Sequence, residues 1–330
     1  MRLRRAILAI FAGVLAIGID LEMVEVAETA TAAKRSCPTP AAMHKGAWPT
    51  WQFFGPPTAG TDPPPRAKPP RADTASVLET LNALGYDIER VRKGDVKVPR
   101  LVFASLPHDL RGADSPDTRK AVFLAAVLPA VLIVNEKVLA QRQILQSLRI
   151  CQRQGIPLSP EAEAWLVELA SLYDELPDAD RLLMRVDAVP PSLVLAQAAV
   201  ESGWGTSRIA RDGNALFGEY AFGRDRAAPV RARSSKARAR LRAFDQVAES
   251  VLSYIRNLNT HAAYEGFRIR RAELRAKGDP LESHALAAEL ARYSTRGQAY
   301  VRDIRAMIRA NELGEFDTSR LSRVETGPKT

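Results

Sequence analysis

Cysteine and histidine are both scarce in this chain of 330 residues, which holds two cysteines, Cys37 and Cys151, and four histidines, His44, His108, His261 and His284. None of them falls into a His-Glu-x-x-His or zinc-ligand spacing, so no catalytic metal is expected. Nor is there a Gly-x-Ser-x-Gly elbow or a Walker loop, which removes the acyl-transfer and phosphate-cradle chemistries. No cofactor is expected. Sequence repeats with periods of about 20–50 residues are absent, which argues against a solenoid or propeller. The two cysteines either pair, in an oxidising compartment, or stand as incidental thiols. Acidic residues fall short of basic ones, leaving a net charge of +9. Such a surface is drawn to anionic polymers. Nucleic acid is not the expected one, because no zinc-finger spacing and no aromatic-basic RNA motif accompanies the charge.

The N-terminus reads as an export segment. Arg2, Arg4 and Arg5 precede an uncharged, mostly apolar run of 14 residues, Ala6 to Ile19. A membrane span needs about 20 residues, whereas a signal h-region is this short. Ala30-Thr31-Ala32 has a small-x-small pattern but lies well past the run, so residues 1–33 are either a cleaved signal or an uncleaved anchor. Residues 34–73 read as a Pro-rich linker, with Trp48, Trp51, Phe53 and Phe54 set between proline clusters. A helical N-terminal region follows over 74–187. In it Val77, Leu78, Leu81 and Leu84 are helix-spaced, Val98 to Leu106 is a short strand or an extended segment, and a long helix runs from Asp117 to Cys151. Shorter helices are expected near 160–175 and 179–187.

The most informative stretch is Ala196-Gln-Ala-Ala-Val-Glu201-Ser-Gly-Trp204-Gly. Pro190-Pro191 supplies breakers and Ser192 an N-cap hydroxyl, so a helix should run to its end at Glu201. Gln197 and Val194 share the face of Glu201. Gly203 and Gly205 let the chain turn and let a ligand approach the backbone. A carboxyl beside apolar neighbours keeps its proton longer, because desolvation disfavours the charge. Such an acid can protonate a glycosidic oxygen.

Beyond it, Val230, Ala232, Ala237, Ala239, Leu241 and Ala243 alternate with Arg231, Arg233, Arg238, Arg240 and Arg242. Period two predicts a hairpin turning at Ser234-Ser235. The arginine row is either a solvated face or a steering surface for an anionic glycan. Helices resume at Asp245, with Val247, Val251, Tyr254, Ile255 and Leu258 on one face. Ser294 or Thr295 should cap a last helix that turns Tyr300, Ile304, Met307 and Ile308 inward, and residues 314–330 should be a disordered tail.

The stretch AQAAVESGWGTSRIARDGNALFG resembles the core of the bacterial peptidoglycan glucosaminidase family, in its Bax-type branch. The likeness extends through Phe244–Arg268 and Tyr293–Ile308, and upstream through Val98–Leu110 and Val127–Gln143. It implies a mainly α fold: a lysozyme-like helical domain over 188–313 with a small β-hairpin lobe beside the cleft. It implies Glu201 as general acid and Tyr293, of the motif Tyr293-Ser294-Thr295-Arg296, near the scissile sugar. Many members carry aspartate where Arg296 stands. Gln197, Trp204, Asn214, Phe217, Gly218 and Thr295 are the substrate-binding candidates. Glu219, or Asp225, is the candidate second carboxylate; alternatively the substrate's own acetamide takes that part.

The implied function is hydrolysis of peptidoglycan, or a related GlcNAc-containing glycan, after N-acetylglucosamine, in the periplasm or cell envelope. The membrane is touched only through an uncleaved N-terminal segment. The alternatives are a muramidase or lytic transglycosylase on the neighbouring bond, or a non-catalytic wall-binding protein. Against the muramidase or transglycosylase stands Asn214-Ala-Leu-Phe217-Gly218, where those enzymes usually carry a Gly-Leu-Met-Gln-like segment.

Overall fold

The computed structural model of the protein describes Cys37 and residues 72–218, 220–221, 240–241 and 243–323, with backbone alone at 220–221 and 240–241. All of these belong to one compact unit, Ser36–Thr330. The N-terminal segment, the linker apart from Cys37 and residues 72–73, and residues 324–330 lie outside the described residues.

Punctuation by caps and prolines explains where the helices start. Asp73 caps α1 (Thr74–Ala83) by accepting from the Ser76 amide, and Asp87 caps α2 (Ile88–Arg92). Ser115 with Pro116 opens α3 (Pro116–Arg153), and Ser159 with Pro160 opens α4 (Pro160–Tyr173). Asp178 caps α5 (Ala179–Arg185). A side chain that accepts from an otherwise unpaired first-turn amide contributes about 1 kcal/mol, and a proline at N1 forfeits no helical hydrogen bond.

The centre of the molecule is α3. From Val122 to Leu132 every residue is buried, as a helix apolar on all sides must be. It packs against α5, α6 (Pro191–Ser202) and α8 (Val247–Thr260). Short α7 (Arg208–Gly213) follows α6. The elements α9 (Glu265–Lys277), α10 (Ser283–Ala287) and α11 (Gln298–Ala310) complete the helical body. Residues 74–187 and 188–313 share one core: Phe123, Leu128 and Leu145 belong to the same buried cluster as Leu193, Tyr254 and Ile304. The fold is thus mainly helical. What the described residues show of the expected hairpin is a two-residue antiparallel ladder, β1 (Tyr220–Ala221) with β2 (Arg240–Leu241), pairing Tyr220 with Leu241 and Ala221 with Arg240. The alternating stretch itself, the arginines at 231, 233, 238 and 242, and Asp225 lie outside the described residues.

Of the two readings of the cysteines, pairing is the one observed: Cys37 and Cys151 form a disulfide with Cα atoms 5.9 Å apart, and Cys37 is buried. Other expectations are corrected. Of the two readings of 98–106, the extended segment holds and the strand does not, apart from a single parallel bridge between Val98 and Leu321. The tail expected to be disordered after Leu313 is ordered through Arg323. Its 3₁₀ turn, Leu313–Thr318, buries Leu313 and Phe316 completely, and the Arg92 guanidinium stacks 4.8 Å from the Phe316 ring. These two buried apolar side chains anchor a segment that is polar in composition, and the Val98–Leu321 bridge holds its end. The last helix is not capped by Ser294 or Thr295: Gly297 is its N-cap, in a left-handed-side conformation (φ 54°) without a side-chain acceptor.

Ser192 is not the cap of α6. Pro191 occupies N1, which makes Pro190 the cap residue, and proline has no side-chain acceptor to offer. The acceptor comes instead from the tail, where Asp317 takes the Ser192 amide and hydroxyl, each at 2.8 Å. Burial pushes the Asp317 carboxyl up to about 6, against the pull of the two Ser192 bonds. Because its folded value lies above the unfolded one, the contribution of Asp317 is full only below the ordinary aspartate value and is lost as pH rises from there through about 6. Asp317→Asn keeps both partners without a buried charge. It should flatten the pH 5–7 dependence of stability and leave the protein no less stable at pH 7. Asp317→Ala should cost about 1 kcal/mol. Thermal melts of the three proteins at pH 5 and 7 check this, and a wild-type melt independent of pH over that range would contradict it.

Candidate active site

Glu201 stands in the last turn of α6, where the buried helix comes out of the core. Residues 191–199 are buried, and Glu201 is half-buried. Gly203, Trp204 and Gly205 then take φ of 59°, 56° and 76°, so the helix stops in three successive left-handed residues. Gly205 serves packing rather than ligand approach. A Cβ there would sit 2.6 Å from Leu106 Cδ1 and 3.1 Å from Phe123, inside van der Waals contact. Trp204 leans on the edge of Phe123 at 5.6 Å with the Lys120 ammonium 5.5 Å from its ring, a packing and cation–π arrangement on the N-terminal side.

The second wall is the segment 214–218. Asn214 caps α7 in a left-handed conformation (φ 51°), and its amide donates to the carbonyls of Ala104 (2.8 Å) and Phe244 (3.1 Å). It is buried and serves as a strut that holds this loop, not as a sugar contact. The Leu216 amide donates to Ser250 Oγ of α8. Gly218 (φ 64°) brings bare backbone against the acid, since a Cβ there would stand 3.9 Å from Glu201 Oε2. Glu219 lies outside the described residues.

Behind Glu201 the structure assembles aromatic side chains from three helices and their connections. Tyr293 stacks on Tyr300 at 5.4 Å with 8° between planes, and lies 6.2 Å from Tyr254 and 6.1 Å from Tyr264. Phe217 stacks on Tyr254 at 4.0 Å. The Tyr293 hydroxyl donates to the Phe217 carbonyl at 3.1 Å, which ties the motif Tyr293–Arg296 to the 214–218 wall. Gln197 is fully buried. It therefore cannot touch substrate: its carbonyl accepts from the Tyr254 hydroxyl and its amide donates to Tyr300 Oη at 2.8 Å. Phe217 is likewise buried, while Thr295 is exposed.

Of the sequence candidates, Glu201, Gln197, Phe217, Gly218 and Tyr293 therefore meet in one cluster. Trp204 and Asn214 hold its edges. Tyr254, Tyr264 and Tyr300 were not read as site residues. Their signal was a hydroxyl on an inward helix face, which must find a partner when buried.

Electrostatics shifts the Glu201 carboxyl upward. Burial raises its carboxyl above the ordinary glutamate value, and this outweighs the hydrogen bond from Tyr300 and the charge of Arg296, both of which pull it down. Arg296, at the position where aspartate is common, ion-pairs with Asp303 at 2.6 Å. No group of three potential metal ligands occurs among the described residues. What the arrangement can do is hold a proton on a half-buried carboxyl, with a glycine backbone on one side and a tyrosine donor behind it. That is the equipment of a general acid.

The family model for glucosaminidase, described as mannosyl-glycoprotein endo-beta-N-acetylglucosaminidase, matches residues 177–313. Protein bax of Escherichia coli (strain K12) is 38% identical over 218 residues, which cover 63% of this chain and 75% of that protein. Among solved structures, the catalytic domain of the autolysin Auto from Listeria monocytogenes is 19% identical, with a TM-score of 0.31 over 52% of this chain and 97% of that one. The matched span begins just ahead of α5 and closes at Leu313, so it contains Glu201 and the whole tyrosine cluster. On its identity to the Escherichia coli protein and its glucosaminidase match, the chain belongs to the glucosaminidase family, in its Bax-type branch.

Proposed function

We propose that the protein hydrolyses the glycan strand of peptidoglycan as an endo-β-N-acetylglucosaminidase, with Glu201 as its general acid. The observation that carries this is the half-buried Glu201 at the end of an apolar helix, holding its proton above the ordinary range, in a chain of the glucosaminidase family. In the reaction Glu201 gives its proton to the glycosidic oxygen as the bond to the anomeric carbon breaks. The electron pair that supports the anomeric carbon comes from Glu219 or from the substrate's own acetamide, and water completes the hydrolysis. Tyr293, half-buried in front of Tyr300, orients the acetamide or the water. The helical body gives a lysozyme-like cleft, with the exposed Thr295 on the glycan's side of it.

The site works outside the cytoplasm in this reading. The basic and apolar residues 2–19 have the form of an export segment, and the Cys37–Cys151 disulfide suits an oxidising compartment. A reporter that works only after export, fused behind residue 40, tests that placement by being active or silent. The activity itself is tested by digesting purified peptidoglycan and identifying the new reducing end by mass spectrometry. N-acetylglucosamine at that end supports the proposal. N-acetylmuramic acid there, in reduced or anhydro form, would move the cut to the neighbouring bond. Binding without any new end would make the protein a wall-binding one.

A further inference from the structure

We infer that the segment Trp48–Phe54 of the Pro-rich linker docks into a groove along α3, at the entrance of the Glu201 helix. The segment lies outside the described residues, whereas the groove is lined by described ones. This docking is independent of the reaction proposed above.

The groove has a volume of about 1230 Å³. One wall is a face of α3, on which Leu132, Glu136, Leu139, Gln143 and Ser147 recur every three or four residues. The other walls come from the connection 189–191 that opens α6, from Leu281 ahead of α10, and from the tail at Ser319 and Leu321. Two features mark a surface short of a partner. Leu139 is 40% exposed although it belongs to the central helix. Ser319 is only 9% exposed, yet its hydroxyl has no hydrogen-bond partner among the described residues, and a buried hydroxyl ordinarily has one. The charges of the groove, by contrast, are already engaged. Glu136 pairs with Arg100 and Arg275 with Asp187, each at 2.9 Å, and Asp317 accepts from Ser192. Attraction of an anionic glycan needs uncommitted cations. This groove instead suits an uncharged, apolar chain that brings a hydrogen-bonding group.

The disulfide selects which chain that is. Cys151 continues the same face of α3, four residues past Ser147, and it holds Cys37. The linker therefore leaves from one end of the groove. Residues 38–47 separate this tether from Trp48, and ten extended residues reach at most about 35 Å. From Cys151 back to Leu132 the helix measures about 28 Å at 1.5 Å per residue, so the segment can reach the whole face. The far end of the linker is fixed as well, since the Ala72 carbonyl accepts from the His108 amide at 3.3 Å. The run Trp48-Pro49-Thr50-Trp51-Gln52-Phe53-Phe54 has no charge and four aromatic rings, and each such ring can bury about 150–250 Å². Tethering holds it beside the groove at an effective concentration of about 1 mM. A dissociation constant of about 0.1 mM then suffices to keep about ten molecules docked for each one undocked.

The experiment uses the full-length, disulfide-bonded protein with p-benzoylphenylalanine in place of Leu139. After illumination, the crosslinked peptides are identified by mass spectrometry. The expected product is an intramolecular crosslink to residues 48–54. A crosslink to another part of the chain, a crosslink to a second copy, or none at all would overturn the inference. Trp48→Ser with Trp51→Ser, added to the photolabelled protein, should abolish the product. A crosslink that survives this change reports only the nearness imposed by the disulfide, and also overturns it. A second measurement compares chymotrypsin cleavage within 48–54 in wild type and in Leu139→Asp, a change at a partly exposed side chain that leaves the core intact. Cleavage follows the undocked fraction. It should be roughly 10-fold faster in Leu139→Asp, with the thermal midpoint unchanged. Equal cleavage rates would show that nothing covers Leu139.

Discussion

Glu201→Gln is expected to lower the rate of peptidoglycan digestion by about 100- to 10,000-fold, the range that positioned acid catalysis supplies. The substitution keeps the size of the side chain and still offers an oxygen to the Tyr300 hydroxyl, so the cluster of Gln197, Tyr254 and Tyr300 should persist. It removes the proton that reaches the leaving oxygen. The loss should therefore fall on kcat, with binding to insoluble peptidoglycan and the thermal midpoint close to wild type. The pH profile gives a second signature. Burial holds the wild-type carboxyl above the ordinary glutamate value. The active, protonated form should thus persist to higher pH than a solvated glutamate would allow, with activity falling as pH rises through the raised value. The residual activity of Glu201→Gln should lack that limb. A substituted protein that digests at the wild-type rate would remove Glu201 from the chemistry and leave wall binding as the remaining function.

The helix end that carries Glu201 is legible in the sequence because its signal is local. A proline-opened apolar helix, a carboxylate in its last turn and glycines just beyond are all contained within 190–205. The same locality explains the success with α3, whose buried run sets its own limits, and with the apolar face of α8, Val247, Val251, Tyr254, Ile255 and Leu258. What was misread depends on partners distant in the chain. The acceptor that caps α6 comes from Asp317, 125 residues after Ser192. Gln197 has the right face for a substrate contact, but helical spacing gives the direction of a side chain and not what covers it. Tyr254 and Tyr300, 57 and 103 residues away from it in sequence, are what cover it. Asn214 was placed in a sugar-binding motif and is a strut between Ala104 and Phe244, again a matter of contacts remote in sequence. The tail 314–323 reads as polar because its anchoring side chains are few: Phe316 within it and Leu313 just ahead of it.

The hub around Asp187 is the largest of these features hidden in the sequence, and the stability prediction follows from it. Asp187 sits between α5 and α6 with its side chain 3% exposed. Arg275 grips its carboxylate with two bonds, 2.9 and 3.1 Å, and Arg142 approaches to 3.6 Å. Arg271, fully buried, donates to the carbonyls of Arg185, Asp187 and Ala188 and to Asn259 Oδ1, and lies 3.9 Å from the carboxylate. These bonds fix the connection that leads into Pro190 and the Glu201 helix. Burial acts to raise the Asp187 carboxyl, but Arg271, Arg275 and Arg142 outweigh it and hold the value down, while burial lowers Arg271 to about 10.

Asp187→Ala leaves guanidinium groups in the interior without their counterion. Removing one partner of a buried pair typically costs about 3–5 kcal/mol, because the remaining charge is neither solvated nor paired. Arg271→Met should cost a similar amount by leaving the carbonyls unpaired. The double substitution should cost less than the sum, since each single change exposes the penalty of the other's partner. Urea unfolding at pH 7 checks this as a fall in midpoint at nearly constant slope. Acid adds an independent sign. A carboxyl held below its unfolded value contributes stability above about pH 4 that is lost as pH falls through the folded value. Asp187→Asn should therefore unfold with a shallower acid dependence than wild type. A loss under about 1 kcal/mol for Asp187→Ala, the size of an exposed ion pair, would show that the connection into α6 is held by packing alone.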